Sequence, residues 1–530
     1  MKKPINRRLV FVSTFLVAVL VNISASNAAQ WSADSLPVVN DQTQMRALFA
    51  PLTFFSINDD YSFNVKNPNQ TYPIFSSLLV PCSQAKVVDP NYRACVESLD
   101  FRKVGGKNWI KGQLSLTQLS ATPTKTIKKN APITLGSNPF SEADYRPEGG
   151  IASIWDLQGA SHTNGTKYLV RATITAPGAD QISYVDGGLQ RLIRVQVLPI
   201  SYNSKNINIT QDEYSLENFT TDFEYRLQLH LGTFIKSLSG WYFGRLQDPD
   251  FSSNAQQGLL EVTGQPARIP IGLTDLVDVA KVSSIVKNCD PNKYCGNTSM
   301  IWAKYSLFDS EERIEPSILA EFEKLGSGVK TVTTSSLWGF DSTRLGEAIT
   351  VGSSSGECLQ NLSGKGARVF LGVVSSNATM FQTTAPAWDP EDKSFSFSVA
   401  APHLDENGKP NLGTYTLSIP QEQAVCRWGK DAIGAKAEVQ VINSDGSSRI
   451  TTSTSQLKNG LLVFNVSGFS YSNPTIKISL LNKNFGQETT SQNKVVNTNA
   501  TTTSIICYKG KTTKKVIGKK PVCPAGFKTK

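Results

Sequence analysis

The sequence predicts a mostly β protein, built from two or three antiparallel β-sandwich-like domains with a few short helices and a small disulfide-bridged hairpin at the C-terminus. Three observations support this fold class. Several short segments alternate apolar and polar residues, as strands with one solvated face do. Turn-forming Gly, Pro, Asn and Asp bound these segments. Few segments have the periodicity of a helix.

The clearest strand covers residues 222–231, where five apolar side chains alternate with five charged or polar ones. Weaker alternation predicts strands over 167–175, 191–198 and 394–399. Towards the C-terminus, four segments follow one another with Asp-Gly and Asn-Gly turns, which favour hairpins because these residues accept positive φ angles. We expect an antiparallel meander that forms one sheet of a sandwich. Its strands cover residues 436–442, 448–455, 461–466 and 475–481.

Helical periodicity is limited to two segments. In 317–325, Ile318 and Phe322 share one face, and Gly326 follows as a C-terminal stop signal. Residues 275–286 are a weaker candidate. Neither segment is long enough to organise a helical domain.

The first residues have the three-part layout of a secretory signal peptide, with four basic residues, an apolar run over 9–21 and a stretch of small residues. The apolar run of 13 residues is too short to cross a hydrocarbon core about 30 Å thick. We therefore expect cleavage near residue 28, no membrane span after cleavage, and a secreted or cell-surface location. A retained anchor is the alternative.

The remaining chain is long enough for about three domains of ordinary size. Polar stretches near 199–205 and 331–336 suggest two boundaries between them. The expected order is a signal peptide over 1–28, an N-terminal β-rich domain over 29–202, a middle α+β or β domain over 203–335, a C-terminal β-sandwich-like domain over 336–485, a polar linker over 486–504 and a basic disulfide hairpin tail over 505–530.

The formal net charge of +10 is concentrated at the two ends of the chain. The signal segment has four basic and no acidic residues, and residues 507–530 have eight lysines and no acid, so the body between them is close to neutral. A surface polyanion is therefore the expected partner of the tail; a merely solubilising end is the alternative. The lysines expected to bind it are Lys509, Lys511, Lys514, Lys515, Lys519, Lys520, Lys528 and Lys530.

Eight cysteines after a signal peptide predict four disulfides. Closing short loops loses the least chain entropy, so we expect sequential pairing. The expected bridges are Cys82–Cys95, Cys289–Cys295, Cys358–Cys426 and Cys507–Cys523. Metal ligation is the alternative for the second pair, although no histidine lies near it in the sequence. We expect no metal and no cofactor.

Candidate catalytic residues are few. The chain has three histidines, of which His230 falls on the polar face of a predicted strand, while His162 and His403 fall in turn-rich segments. Surface or loop roles are favoured for all three. The inventory therefore disfavours mechanisms that depend on histidine.

Three segments match chemical motifs only formally. Ser354 lies in a nucleophile-elbow pattern, but the sequence after it lacks the pattern of a helix. Ser284 and Lys287 have the Ser-x-x-Lys spacing without its companion motifs. Residues 248–254 alternate oxygen-bearing side chains but lack the Gly and Glu of a calcium loop, which favours a surface turn.

The tail resembles the ending of many secreted actinobacterial proteins with no established function, in which a Cys-x-Lys-Gly-Lys hairpin precedes a Pro-x-Cys-Pro-x-Gly-aromatic-Lys finish. Residues 396–477 are similar to the last β-domain of the same group. The motifs that carry the resemblance are Ala401-Pro402-His403, Gly413-Thr414-Tyr415, Ala424-Val425-Cys426 and Gly468-Phe469-Ser470-Tyr471-Ser472-Asn473-Pro474, with a weaker match at Gly240-Trp241-Tyr242-Phe243-Gly244-Arg245-Leu246. The resemblance implies a surface or extracellular role and supplies no catalytic residue.

Together these observations favour a non-enzymatic binding or structural protein, attached non-covalently through its tail to a cell-wall or surface polyanion, with glycans as a further class of ligand. No specific nucleic-acid partner is expected. The first alternative is a secreted carbohydrate-active hydrolase that uses carboxylates, because such a pair is not recognisable without the fold. The second alternative, a solute-binding protein, would show repeated βαβ signals.

Overall fold

The computed structural model describes most of the chain in two compact units, Met1–Leu481 and Asn482–Lys530. The described residues of both units lie mainly in strands, which confirms the mostly β class. The described residues are 44–51, 62–67, 70–85, 94–116, 118–119, 152–177, 192–203, 205, 208–209, 213–232, 235, 240–278, 280–281, 300–305, 316–324, 328–342, 370–382, 385–433, 435–442, 448–471, 475–481, 503–509, 512–518, 523 and 527–529.

The first unit contains 29 strands and two α-helices among its described residues. Its strands are β1 (Gln44–Pro51), β2 (Ser62–Asn67), β3 (Gln70–Leu78), β4 (Cys95–Lys103), β5 (Ile110–Lys111), β6 (Gln113–Leu114), β7 (Gln118–Leu119), β8 (Ser153–Asp156), β9 (Lys167–Pro177), β10 (Leu192–Tyr202), β11 (Asn208–Ile209), β12 (Tyr214–Leu216), β13 (Phe223–His230), β14 (Gly240–Gly244), β15 (Leu246–Asn254), β16 (Leu259–Thr274), β17 (Val277–Asp278), β18 (Met300–Tyr305), β19 (Val329–Ser342), β20 (Phe370–Ser376), β21 (Met380–Phe381), β22 (Ala387–Asp389), β23 (Ser394–Ala400), β24 (Leu412–Pro420), β25 (Lys436–Ile442), β26 (Ser448–Thr454), β27 (Gln456–Lys458), β28 (Leu461–Ser470) and β29 (Thr475–Leu481). The helices are α1 (Pro316–Glu323) and α2 (Gln421–Trp428), and Lys430–Ala432 form a 3₁₀ turn.

β16 changes partners along its length. Up to Pro266 it pairs antiparallel with β13 and β15, and from Ala267 onward it pairs with β19. The alternation of buried residues shifts phase at the same place, because Pro266 and Ala267 are both buried. β16 therefore belongs to two layers of sheet, and the strands around it are mostly antiparallel. Parallel pairs also occur, between β1 and β18, β14 and β20, and β7 and β11.

β13 confirms the clearest sequence prediction. Tyr225, Leu227 and Leu229 are fully buried in a core shared with β4, β9, β10 and β16. The alternate residues of the same strand are only half-buried and form the opposite, polar face. The strands predicted over 167–175 and 191–198 are also present, as β9 and β10, which pair with each other.

The C-terminal strands form a sandwich but not a single meander. β25, β26 and β29 share a sheet with β23, whereas β27 and β28 pair with each other and join β24 in another sheet. The chain changes sheets at Ser455, whose buried hydroxyl donates to the Ala435 carbonyl at 2.5 Å. The predicted Asn-Gly turn is confirmed, since Asn459 and Gly460 both have positive φ angles. The strand pattern predicted the strands and the β25–β26 pair correctly, but the expected place of β28 between β26 and β29 is wrong.

The helices differ from the prediction in three respects. α1 starts one residue earlier than expected, and its Phe322 packs edge-to-face on Phe49 at 5.3 Å. The helix expected over 275–286 is wrong at its start, where Val277 and Asp278 form β17 against β1. α2 escaped prediction because it is short and directly follows a strand that ends in proline.

Strand pairing crosses both boundaries that composition suggests. β10 continues through the first boundary to Tyr202, and the Thr/Ser run over 331–336 lies inside β19. β10 pairs with β19, and β4 pairs with β13. The three segments separated by composition are therefore joined by hydrogen-bonded strands.

The second unit contains the predicted hairpin. β30 (Thr503–Lys509) pairs antiparallel with β31 (Thr512–Gly518), and β32 (Lys528–Thr529) returns to pair with β30. The sheet order is β31-β30-β32. β30 begins at Thr503, two residues inside the segment predicted as a linker.

The disulfide predicted between Cys82 and Cys95 is confirmed, with a Cα–Cα distance of 4.9 Å. Cys426 and Cys523 are also disulfide-bonded, and no cysteine among the described residues is free. The other predicted members, Cys289, Cys295 and Cys358 and the side chain of Cys507, lie outside the described part of the chain. Their pairing stays a prediction.

Peptide mapping without reduction should identify the remaining bridges. We expect linked peptides containing Cys289–Cys295, Cys358–Cys426 and Cys507–Cys523, because short loops close at the lowest entropic cost. The Cys82–Cys95 peptide serves as the internal control, and reduction should release all four pairs. A link from Cys426 to any cysteine other than Cys358 would contradict sequential pairing.

Candidate functional site on a polar sheet face

Charged and polar side chains cover one face of the sheet formed by β5, β4, β13, β16 and β15. Cross-strand partners lie on the same face of a sheet, so the strand register defines two rows of neighbours. One row contains Lys111, Asp100, Arg226, Thr263 and Asp250. The next row contains Ser98, Gln228, Glu261 and Ser252. The opposite face of these strands is the buried core.

Arginines neutralise the carboxylates at the centre of this face. Asp100 is fully buried, and its Oδ2 accepts hydrogen bonds from Nε and Nη2 of Arg226 at 3.0 and 2.6 Å. Glu224 Oε2 accepts from Nε and Nη2 of Arg102 at 2.9 and 2.6 Å. Glu261 lies 3.8 Å from Arg226 and accepts from Gln228. Charge-assisted pairs of this kind fix both side chains.

Trp109 lies against the two arginines. Its ring centre is 4.3 Å from the guanidinium carbon of Arg102 and 4.8 Å from that of Arg226, which are cation–π distances. The indole is partly exposed, in the turn between β4 and β5. Because each arginine is also held by a carboxylate, the orientation of the indole is fixed before any ligand binds.

The arrangement suits binding better than acid–base catalysis. A glycosidase needs one carboxyl group that releases a proton and a second that acts as base or nucleophile. Here Asp100 and Glu224 each accept two hydrogen bonds from a guanidinium, so both carboxylates already have an arginine as partner. A flat aromatic ring beside fixed donors and acceptors is a common composition of binding sites.

Two of the three histidines bind backbone carbonyls, and the third lies on a polar strand face. His230 lies on the polar side of β13, as predicted. His403 Nδ1 donates to the Tyr471 carbonyl at 3.0 Å. His162 lies in a turn, as expected, but it is buried, and its Nε2 donates to the Lys167 carbonyl at 3.1 Å. Burial lowers the pKa of His162, against opposing effects of the Lys167 backbone and of Glu217.

The motifs behind the resemblance meet in the C-terminal sandwich. Tyr471 is fully buried, and its hydroxyl donates to Asn377 Oδ1, which also accepts from the backbone N–H of Thr414 at 2.7 Å. Gly413 lies so close to the ring of Phe469 that a Cβ there would overlap it. These motif residues therefore pack the sandwich together.

Arg245, in the weaker motif, is buried and binds backbone carbonyls. Its guanidinium donates to the carbonyls of Ser376 and Thr379 at 3.2 Å and also to that of Ala378. The same group lies 4.3 Å above the ring of Phe381. Arg245 thus fixes the segment after β20 against β14 and β15.

The formal motifs gain no support as chemical sites. Ser354, Ser284 and Lys287 lie outside the described residues. The surface turn predicted over 248–254 is wrong, because these residues form β15, with a bulge between Gln247 and Asp250. Within the described ranges, no group of three or more His, Cys, Asp or Glu side chains could hold a metal ion.

The described helices include none long and apolar enough to cross a membrane. Of the predicted polyanion-binding lysines, Lys509 lies on β30, Lys514 and Lys515 on β31, and Lys528 on β32. The other four lie outside the described residues.

Comparison of the chain with protein-family models, with curated proteins and with solved structures gave no match.

Sequence reasoning missed the polar face, because its members lie on strands far apart in the chain. One signal was available. Between Asp100 and Glu142 the sequence has seven basic residues and no acid, although the body as a whole is close to neutral. Averaging the charge over the whole body concealed this basic segment.

Loss of the Arg226 guanidinium should strongly destabilise the protein. In Arg226→Met the carboxylate of Asp100 would stay buried without its partner, at a cost of about 3–5 kcal/mol in the free energy of unfolding. Denaturant unfolding measures this loss. The double variant Asp100→Leu/Arg226→Met should recover at least half of it, because no fully buried charge is left unpaired.

Lys324→Met is the control for loss of a salt bridge. It removes an exposed pair with Glu321 and should change stability by less than about 0.5 kcal/mol. Additive costs of the two substitutions at Asp100 and Arg226 would contradict a shared buried pair.

Stability should fall as the pH decreases below the ordinary histidine range. Since burial lowers the pKa of His162 from 6.5, the unfolded chain takes up a proton at this residue before the folded chain does. The stabilisation is present above pH 6.5 and is lost as the pH falls towards the lower pKa of the folded state. Chemical unfolding across this range should show a smaller pH dependence for His162→Gln than for His230→Gln. Equal slopes for both variants would contradict the assignment.

Proposed function

We propose that this protein is a secreted or cell-surface binding protein without enzymatic activity, attached non-covalently to a surface polyanion through its C-terminal unit. The observation that carries the proposal is the charge of residues 507–530, which have eight lysines and no acid. These residues belong to a compact unit of their own with a three-stranded sheet. Positive charge concentrated in one short segment attracts polyanions electrostatically, whatever their repeating unit.

Strand pairing gives the tail a defined backbone. Cys507 pairs in register with both Lys514 and Thr529, so the end of the chain is fastened back onto β30. Cys523 is disulfide-bonded, which supports the same closure. A backbone that is already ordered loses less conformational entropy on binding than a disordered basic tail would.

The first unit supports the non-enzymatic part of the proposal. Its polar sheet face holds several carboxylates beside a partly exposed tryptophan, which is the composition that a carbohydrate-active hydrolase would need. The carboxylates of Asp100 and Glu224 are engaged by arginines instead. A role in binding is therefore favoured over hydrolysis.

Charge neutralisation in the tail tests the proposal. In full-length protein, replacing Lys509, Lys514, Lys515 and Lys528 by Gln should weaken retention on isolated cell walls and on immobilised polyglutamate by at least about tenfold, because each lysine near an anionic surface contributes about 1 kcal/mol. The same four positions changed to Arg form the matched control and should retain binding, since the charge is kept.

Salt separates electrostatic from other attachment. Raising the ionic strength from about 0.1 M to about 1 M shortens the screening length from about 10 to about 3 Å, so wild-type protein should be released while the Gln variant changes little. Equal retention of the Gln and Arg variants, or wild-type binding that resists salt, would contradict attachment through the tail.

A further inference from the structure

The turn between β4 and β5 is the most basic part of the described first unit. Lys103 at the end of β4, Lys107 in the turn and Lys111 at the end of β5 are exposed, and none of them forms an ion pair with a described residue. The nearest acids on β4 and β13, Asp100 and Glu224, are paired with arginines. These three lysines are therefore available to an anionic ligand.

One exposed acid lies beside the turn. The carbonyl of Asp222 accepts a hydrogen bond from the backbone N–H of Val104 at 2.9 Å, which places the start of β13 next to the turn. A single carboxylate leaves an excess of positive charge around the three lysines. The turn therefore carries a local positive charge, which the near-zero net charge of the whole body does not reveal.

Trp109 differs from the other tryptophans whose side chains the structure describes. Trp388 is also partly exposed and lies against Arg427, but it packs on the apolar core. Trp155, Trp241, Trp338 and Trp428 are at most 5 % exposed, as core residues are. Trp109 is partly exposed and rests on the guanidinium groups of Arg102 and Arg226, outside the apolar core. The core therefore does not account for a large aromatic side chain at this position.

We propose that this turn is a binding site for an acidic glycan. The indole of Trp109 receives the apolar C–H face of a sugar ring, and Lys107 and Lys111 pair with carboxylates of the same polymer. Lys111 is the register partner of Asp100, so it lies on the same sheet face as Arg226 and beside the indole-binding arginines. This inference rests on the proposed role as an extracellular binding protein and names a ligand for a second site, separate from the tail.

The composition of the turn favours a sugar polymer over a lipid surface. Its tip, Gly105-Gly106-Lys107-Asn108, is polar, and the exposed apolar side chains that flank it, Val104 and Ile110, alternate with lysines and do not form a continuous apolar face. A protein that lies in a membrane interface instead presents a continuous apolar face. Aromatic side chains offer a flat apolar ring together with a polar edge, which matches the two-sided chemistry of a pyranose.

Binding to polygalacturonate tests the inference in full-length protein. Lys107→Gln/Lys111→Gln should weaken this binding by about tenfold, as expected for the loss of two charge-assisted contacts. Trp109→Ala should weaken it to a similar extent, and Trp109→Phe should retain part of the affinity. The matched control is Lys409→Gln/Lys430→Gln, which removes the same charge from exposed positions elsewhere and should have no effect.

Each variant is measured in two backgrounds, the natural tail and the tail with four lysines changed to Gln. Weaker binding by the turn variants in both backgrounds supports the site whether or not the tail attaches the protein. Loss of binding only through the tail substitutions would overturn this inference and leave the proposed function intact. Methyl-esterified polymer, which lacks the charges, should bind far more weakly than the acid form.

Three further outcomes would overturn the inference. One is an unchanged affinity in Trp109→Ala, which would reduce the turn to non-specific charge. Another is equal loss of binding in the Lys409→Gln/Lys430→Gln control. The third is stronger binding of the turn to anionic phospholipid vesicles than to the polysaccharide. Unfolding midpoints exclude misfolding, and the lysine pair, which is exposed, should leave them unchanged.

Discussion

The buried indole of Trp338 lies where the two longest strands of the first unit change partners. Its Nε1 donates to the Gly264 carbonyl at 2.9 Å, and no part of the side chain is exposed. β16 pairs with β13 and β15 before this point and with β19 after it, while β19 passes from β16 to β10 and β14. A bulky side chain with one well-placed donor fills the space between diverging strands and satisfies a buried carbonyl there.

The polar face depends on the same strands as the core. β13 places Tyr225, Leu227 and Leu229 inside, so the residues between them must face the other way. Arg226 is thereby brought opposite Asp100 on β4, and the two arginines of this face hold Trp109. The arginines whose ion pairs neutralise Asp100 and Glu224 therefore also hold the aromatic ring.

The motifs that carry the resemblance have mainly structural roles. Gly413 gives room to Phe469, and Tyr471 donates a hydrogen bond to Asn377. Arg245 binds the carbonyl oxygens of Ser376, Ala378 and Thr379, at the end of β20 and just after it. Such residues are sensitive to substitution because close packing and buried polar groups tolerate few alternatives. A motif found in a β-domain therefore indicates shared packing more directly than a shared ligand.

The sequence alone determined where many strands lie, the positive φ angles at Asn459 and Gly460, the Cys82–Cys95 bridge and the hairpin of the tail. These features are local, because alternation, turn chemistry and short loops are set by residues close together in the chain.

Only the tertiary structure decided which strands pair. For this reason β28 pairs with β24 and not within the expected meander, and the two suggested boundaries fall within the strands β10 and β19. The central ion pair joins residues 126 positions apart, and the hydrogen bond of Trp338 spans 74. Periodicity shows that a strand has a buried face, but many strands offer an equivalent face to pack against. The choice among them depends on the fit of the whole core, which no local pattern contains.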